Sequence, residues 1–129
     1  MKMEDIRDLS SIIVLVDDFY GKVRADDLLG PVFSAVIKDE WQPHLDKMYA
    51  FWNAALFGVP GFKGNPFARH APLPIAGSHF ERWIKLFEQT IDEHFKGPKA
   101  SEAKTKAGLM SVMFQSKLST MKDSSRVVF

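Results

Sequence analysis

The chain contains no cysteine. That excludes disulfides, zinc–cysteine sites, iron–sulfur clusters and thiol nucleophiles. It also carries little net charge. Its 17 basic and 16 acidic residues leave +1, and no basic stripe separates from the acidic residues. Nucleic acid is therefore not an expected partner. Long apolar runs are missing, and the start, Met1-Lys2-Met3-Glu4-Asp5, is charged. Neither a signal peptide nor a membrane span is expected, and a cytoplasmic location follows as the default. No serine, histidine and carboxylate set stands in a motif. There is no phosphate-binding glycine loop and no two-histidine helix motif, so cofactor-free catalysis has no foothold. No segment alternates like a half-buried strand, and no repeat is present.

What is there is helical periodicity and many rings. The 129 residues suit one domain, and 46% of them are hydrophobic, as in ordinary globular proteins. The 11 Phe, 3 Trp and 2 Tyr fit either a bulky core or a pocket for something flat and apolar. Ile6, Leu9, Ile13, Val16, Tyr20 and Val23 recur at steps of three and four. This predicts a helix from about Ser11 to Arg24, with Ser10 or Ser11 as its cap, after a short helix or turn within 1–10. Gly30-Pro31 is expected to break the chain before a short helical or irregular piece with Val32 and Phe33. Trp41, Leu45, Met48, Trp52 and Ala55 predict the next helix, with Pro43 in its first turn and Gly58 as its stop. His44 and Met48 share a face there.

The stretch from Gly58 to Gly77, ends included, holds four of the eight glycines and four of the seven prolines. A loop that long is usually functional in a compact domain. Inside it, Asn65 is a good cap, Pro66 suits the first helical position, and Pro72 ends the segment. The prediction is a helix of one to two turns with Phe67 and His70 on one face, suited to pointing one imidazole into a cavity. Ser78 with Glu81 forms a capping box for a helix carrying Phe80, Trp83 or Ile84, Phe87, Ile91 and Phe95 on its apolar face, ended by Gly97-Pro98. On it, His79 and His94 read as surface residues. Ala103, Ala107, Met110, Phe114, Leu118 and Met121 predict a last helix, with residues 123–129 as a frayed tail. The class is all-α.

The order Phe19-Tyr20, Leu29-Gly30-Pro31 with Phe33, Trp41 with His44, Phe51-Trp52 before Gly58, His70, and Phe80 with Trp83 and Leu86-Phe87 resembles the truncated haemoglobins, most closely group III. The absence of any Gly-Gly pair fits that group. The resemblance implies a single domain over 1–129, a small globin-like two-over-two helical sandwich enclosing one b-type haem. It makes His70 the proximal ligand to the iron and puts Tyr20, His44 and Trp83 on the distal side. Phe33, Met48, Phe67 and Phe87 become pocket wall. It implies reversible binding of dioxygen, carbon monoxide and nitric oxide by a monomer. Chemistry on the bound ligand, such as nitric oxide oxidation or peroxide handling with a reductase partner, is compatible with it. For His44, donor, gate and sixth-ligand roles all stand open. A haem-free helical sensor or protein-interaction module is the alternative function.

Overall fold

A computed structural model describes residues 3–60 and 77–123. Five helices are present among them: α1 (Leu9–Ala25), α2 (Leu29–Ile37), α3 (Trp41–Phe57), α4 (Gly77–His94) and α5 (Pro98–Asp123). The α1/α3 pair packs on the α4/α5 pair, through α1 against α4 and α3 against α5. This is a two-over-two all-α sandwich with no sheet among the described residues. None of these helices is long and apolar enough to cross a membrane.

The start of the chain differs from the expected short helix or turn. Residues 3–7 run without helix, and Glu4 makes an isolated parallel bridge with Phe95. Ile6 is buried there. Asp5 accepts hydrogen bonds from the Lys99 and Ala100 amides at 2.9 and 2.8 Å. An acceptor distant in sequence thus satisfies the otherwise orphaned first amides of α5. Gly97 is required beside it. Its φ is +148°, and a Cβ would stand 2.6 Å from the Asp5 Cγ.

The cap of α1 is Asp8, which accepts from the Ser11 amide at 3.2 Å. A carboxylate favours a helix N-terminus over the hydroxyl of Ser10 or Ser11. The buried stripe is Ile12, Leu15, Val16, Phe19, Tyr20 and Val23. Leu9, expected on the inner face, is exposed. Val16, Tyr20 and Val23 are buried as expected and Ile13 is half-buried; the buried face is wider than the three-four stripe and also takes in Ile12, Leu15 and Phe19.

Gly30-Pro31 does not break the chain; it lies in the first turn of α2. Pro31 sits where no intrahelical N–H is needed. Gly30 is there because a Cβ would meet the Arg24 carbonyl oxygen at 2.7 Å. In α3 the same rule tolerates Pro43, and the His44 amide already bonds to the Glu40 carbonyl at 3.2 Å. Gly58, at φ +67°, caps α3 as expected. Helix α4 begins at Gly77, so Ser78 lies inside it rather than at its cap. Ala100, Ala103 and Ala107 of α5 are buried, and such short side chains let α4 approach closely.

Candidate functional site

Two ring clusters meet at the adjacent pair Phe19 and Tyr20 of α1. On one side Tyr20 stands edge-on to His44 of α3, centroids 4.9 Å apart at 89°. Phe33 of α2 and Trp41 of α3 lie 6.4 and 6.3 Å from the Tyr20 ring. On the other side Phe19 meets Trp83 at 5.5 Å and Phe87 at 5.2 Å, both edge to face. Trp83 stacks on Phe87 at 5.7 Å and 10°, and Trp52 of α3 closes the row at 5.0 Å from Phe87. Edge-to-face and offset pairs at these spacings are the favoured aromatic arrangements.

The structure thus brings Tyr20, Phe33 and His44 into one cluster, with Trp83 and Phe87 joined to it through Phe19. Met48 is half-buried against the same core. His70 and Phe67 lie outside the described residues. Phe19 and Trp52 were not singled out as site residues, yet they connect its halves. The signal for Phe19 was its place next to Tyr20 on the wide apolar face of α1.

Two polar groups stand out in this apolar setting. Tyr20 is buried, and burial pushes its phenol well above the ordinary tyrosine value. It therefore stays an O–H donor at any working pH. The Trp83 Nε1 is buried and has no hydrogen-bond partner. An indole N–H can only donate, so the group that would satisfy it must be an acceptor. Leaving such a donor unmet costs about 1–3 kcal/mol.

The walls around these groups are tied by charge. Asp26 accepts from Arg82 at 2.6 Å, joining the α1–α2 corner to α4. Arg24 lies over the Trp41 ring at 4.6 Å. At the far end of α4, His94 Nε2 is 2.6 Å from Asp18, and Lys22 bridges Asp18 and Glu93 at 2.9 and 2.8 Å. His94 is a surface residue, as expected, and is paired with Asp18. Asp18, Glu93 and His94 present ligand atoms within 4.8 Å of one another, but the Lys22 ammonium already engages both carboxylates.

The bacterial-like globin family matches residues 4–116. A curated relative, the group 3 truncated hemoglobin ctb of Campylobacter jejuni, is 34% identical over 122 residues, 92% of this chain and 95% of the relative. The chain belongs to the group III truncated haemoglobins. The crystal structure of the group III truncated haemoglobin from Campylobacter jejuni superposes with a TM-score of 0.82 at 34% identity, covering 92% of this chain and 95% of that one. Membership implies a haem b cofactor and an oxygen-binding role. The residues of this truncated haemoglobin suit such a group on their own chemistry. An unmet buried donor, a buried phenol and a wall of rings form the expected lining for a flat apolar cofactor with a polar ligand on one face.

Proposed function

We propose that this chain binds dioxygen, carbon monoxide and nitric oxide reversibly at one b-type haem. His70 is the proximal ligand to the iron, and Tyr20, His44 and Trp83 face the ligand. Phe33, Met48, Phe67 and Phe87 form the apolar wall. The observation that carries this reading is the buried Trp83 N–H without an acceptor, linked through the Phe19 ring to the buried Tyr20. The haem supplies reversible coordination of a diatomic ligand. The side chains decide how long that ligand stays. Trp83 and Tyr20 donate toward an acceptor that carries partial negative charge. The surrounding rings exclude water, which raises the worth of each donated bond. His44, edge-on to Tyr20, serves as a further donor or as a gate. Carbon monoxide carries less charge than dioxygen, so these donors favour dioxygen. Slow escape makes a poor carrier and suits chemistry on the ligand, with nitric oxide oxidation or peroxide handling as candidates.

The test is the visible spectrum of the purified protein, ferric and then reduced under carbon monoxide. A Soret band that shifts on reduction, and that His70→Ala loses unless imidazole is added, supports haem and its proximal ligand. The ferric spectrum also reports whether water or His44 takes the sixth position. A colourless protein that haemin does not reconstitute refutes the reading and leaves a helical interaction module.

A further inference from the structure

Asp26 uses nearly all of its polar groups, and together they tie three helices. Its amide donates to the Val23 carbonyl at 3.2 Å, closing α1. Its carboxylate accepts from the Leu28 and Leu29 amides at 3.0 and 2.9 Å, opening α2. Its carbonyl accepts from the Gly30 amide at 2.9 Å. The remaining carboxylate oxygen accepts from Arg82 of α4 at 2.6 Å, and the Asp26 side chain is only 9% exposed. The three helices that meet at this residue carry Tyr20, Phe33 and Trp83.

Helices α1 and α4 run antiparallel. Asp18 and Lys22 meet Glu93 and His94 at one end, and Asp26 meets Arg82 at the other. The ring contacts of Phe19 with Trp83 and Phe87 complete the seam between the two helices. Trp83 has no hydrogen bond to fix its ring. Stacking on Phe87 and the edge of Phe19 hold it, so its donor goes where α4 goes. Arg82 is its immediate neighbour in the same helical turn.

Resting on the haem reading above, we propose that Asp26 and Arg82 are a positioning pair for the distal side. Together they set where the Trp83 N–H stands relative to Tyr20 and Phe33, and through that the rate of ligand escape. Neither residue needs to touch the ligand. The guanidinium suits this task because its planar fork holds direction as well as charge, which a lysine does not.

The experiment compares the haem-loaded wild type with Arg82→Met, Arg82→Lys, Asp26→Asn, Trp83→Phe and the double variant Arg82→Met/Trp83→Phe. It reads the C–O stretching frequency of the carbon monoxide form and the oxygen dissociation rate. Indole N–H hydrogen exchange of Trp83 in the haem-free protein is a third readout. Arg82→Met and Asp26→Asn are expected to shift the C–O band in the same direction as Trp83→Phe. They should speed oxygen release about three- to tenfold, the worth of one neutral hydrogen bond. Arg82→Lys should recover part of both effects, and Trp83 exchange should quicken in Arg82→Met. On the Trp83→Phe background, Arg82→Met should add less than about twofold, because the donor it positions is gone. Asp26→Asn keeps a capping oxygen for Leu28 and Leu29 and carries the test if Arg82→Met does not fold. Variants that lose thermal stability yet leave band and rate unchanged would overturn the proposal. So would an Arg82→Met effect that persists in full without Trp83. A wild type without a Soret band refutes the haem reading itself and this inference with it, and that spectrum is recorded before any variant is made.

Discussion

Trp83→Phe separates a ligand-facing donor from an ordinary packed ring. Phenylalanine keeps the stack on Phe87 and the edge contact with Phe19, and it removes a buried N–H that lacks a partner. In the haem-free protein two effects oppose each other. Losing part of the indole gives up roughly 40 Å² of apolar burial, or about 1 kcal/mol at about 25 cal/mol per Å². Deleting the unmet donor returns about 1–3 kcal/mol. Urea unfolding of the haem-free variant should therefore match the wild type or exceed it by up to about 2 kcal/mol. In the loaded protein the sign reverses for the ligand. A donor worth about 1.4 kcal/mol is a factor of about ten in the oxygen dissociation rate. The carbon monoxide rate should move less than about twofold, since less charge develops there for the donor to meet. Stopped-flow ligand replacement reads both rates. An oxygen rate within twofold of wild type, or a haem-free protein destabilised by more than about 2 kcal/mol, would show that the indole is structural and refute the assignment.

Gly97→Ala should cost about 2–4 kcal/mol, the sum of a residue forced to φ +148° and a displaced Asp5 cap, read as a lower urea midpoint. Asp5→Ala should remove most of that extra cap loss when combined with it. Phe87→Ala empties the position shared by Phe19, Trp52 and Trp83 and should cost about 3–5 kcal/mol in the same assay. Acid should also weaken the fold. Burial alone would raise the Asp5, Asp18 and Asp26 carboxyls, but bonds from the Lys99, Ala100, Leu28 and Leu29 amides, Lys22, His94 and Arg82 outweigh it and hold them below the usual carboxylate value. A lowered folded-state value gives stability that is complete above the unfolded value and is lost as pH falls through the folded one. Unfolding midpoints should thus be flat near neutrality and fall below about pH 4, with a shallower fall in Asp26→Asn.

The helices were legible because each writes a three-four apolar period over many residues, and Gly58 stops α3 as its residue type predicts. The clustering of Tyr20, Phe33 and His44, joined through Phe19 to Trp83 and Phe87, was legible because ring type and order along an all-α chain are themselves a pattern. What the sequence hid were polar ties across long separations. Asp5 reaches α5 over 94 and 95 positions, and Asp26 reaches Arg82 over 56. Neither partner has a periodic neighbour to mark it. Asp8, Ser10 and Ser11 are all residue types that cap helices, and only the extended backbone at Asp8 decides between them. Gly30-Pro31 read as a break because glycine stops helices and proline interrupts their interiors, whereas proline in a first turn, where Pro31 stands, is tolerated.

The hidden ties matter more to ligand chemistry than the visible periodicity does. Periodicity fixes which residues face inward only with a coarse tolerance, as the wide buried face of α1, with Ile12, Leu15 and Phe19 beside Val16, Tyr20 and Val23, demonstrates. A hydrogen bond to a small ligand tolerates far less, because it weakens steeply outside roughly 2.7–3.2 Å. In this chain the step from the coarse tolerance to the fine one falls to the ends of α1 and α4, where Asp26–Arg82 and the Lys22 cluster hold the two helices in register. A relative with the same aromatic order but without a charged pair at positions 26 and 82 should keep the fold and the Soret band while releasing oxygen faster. Grafting that pair into it should slow release again.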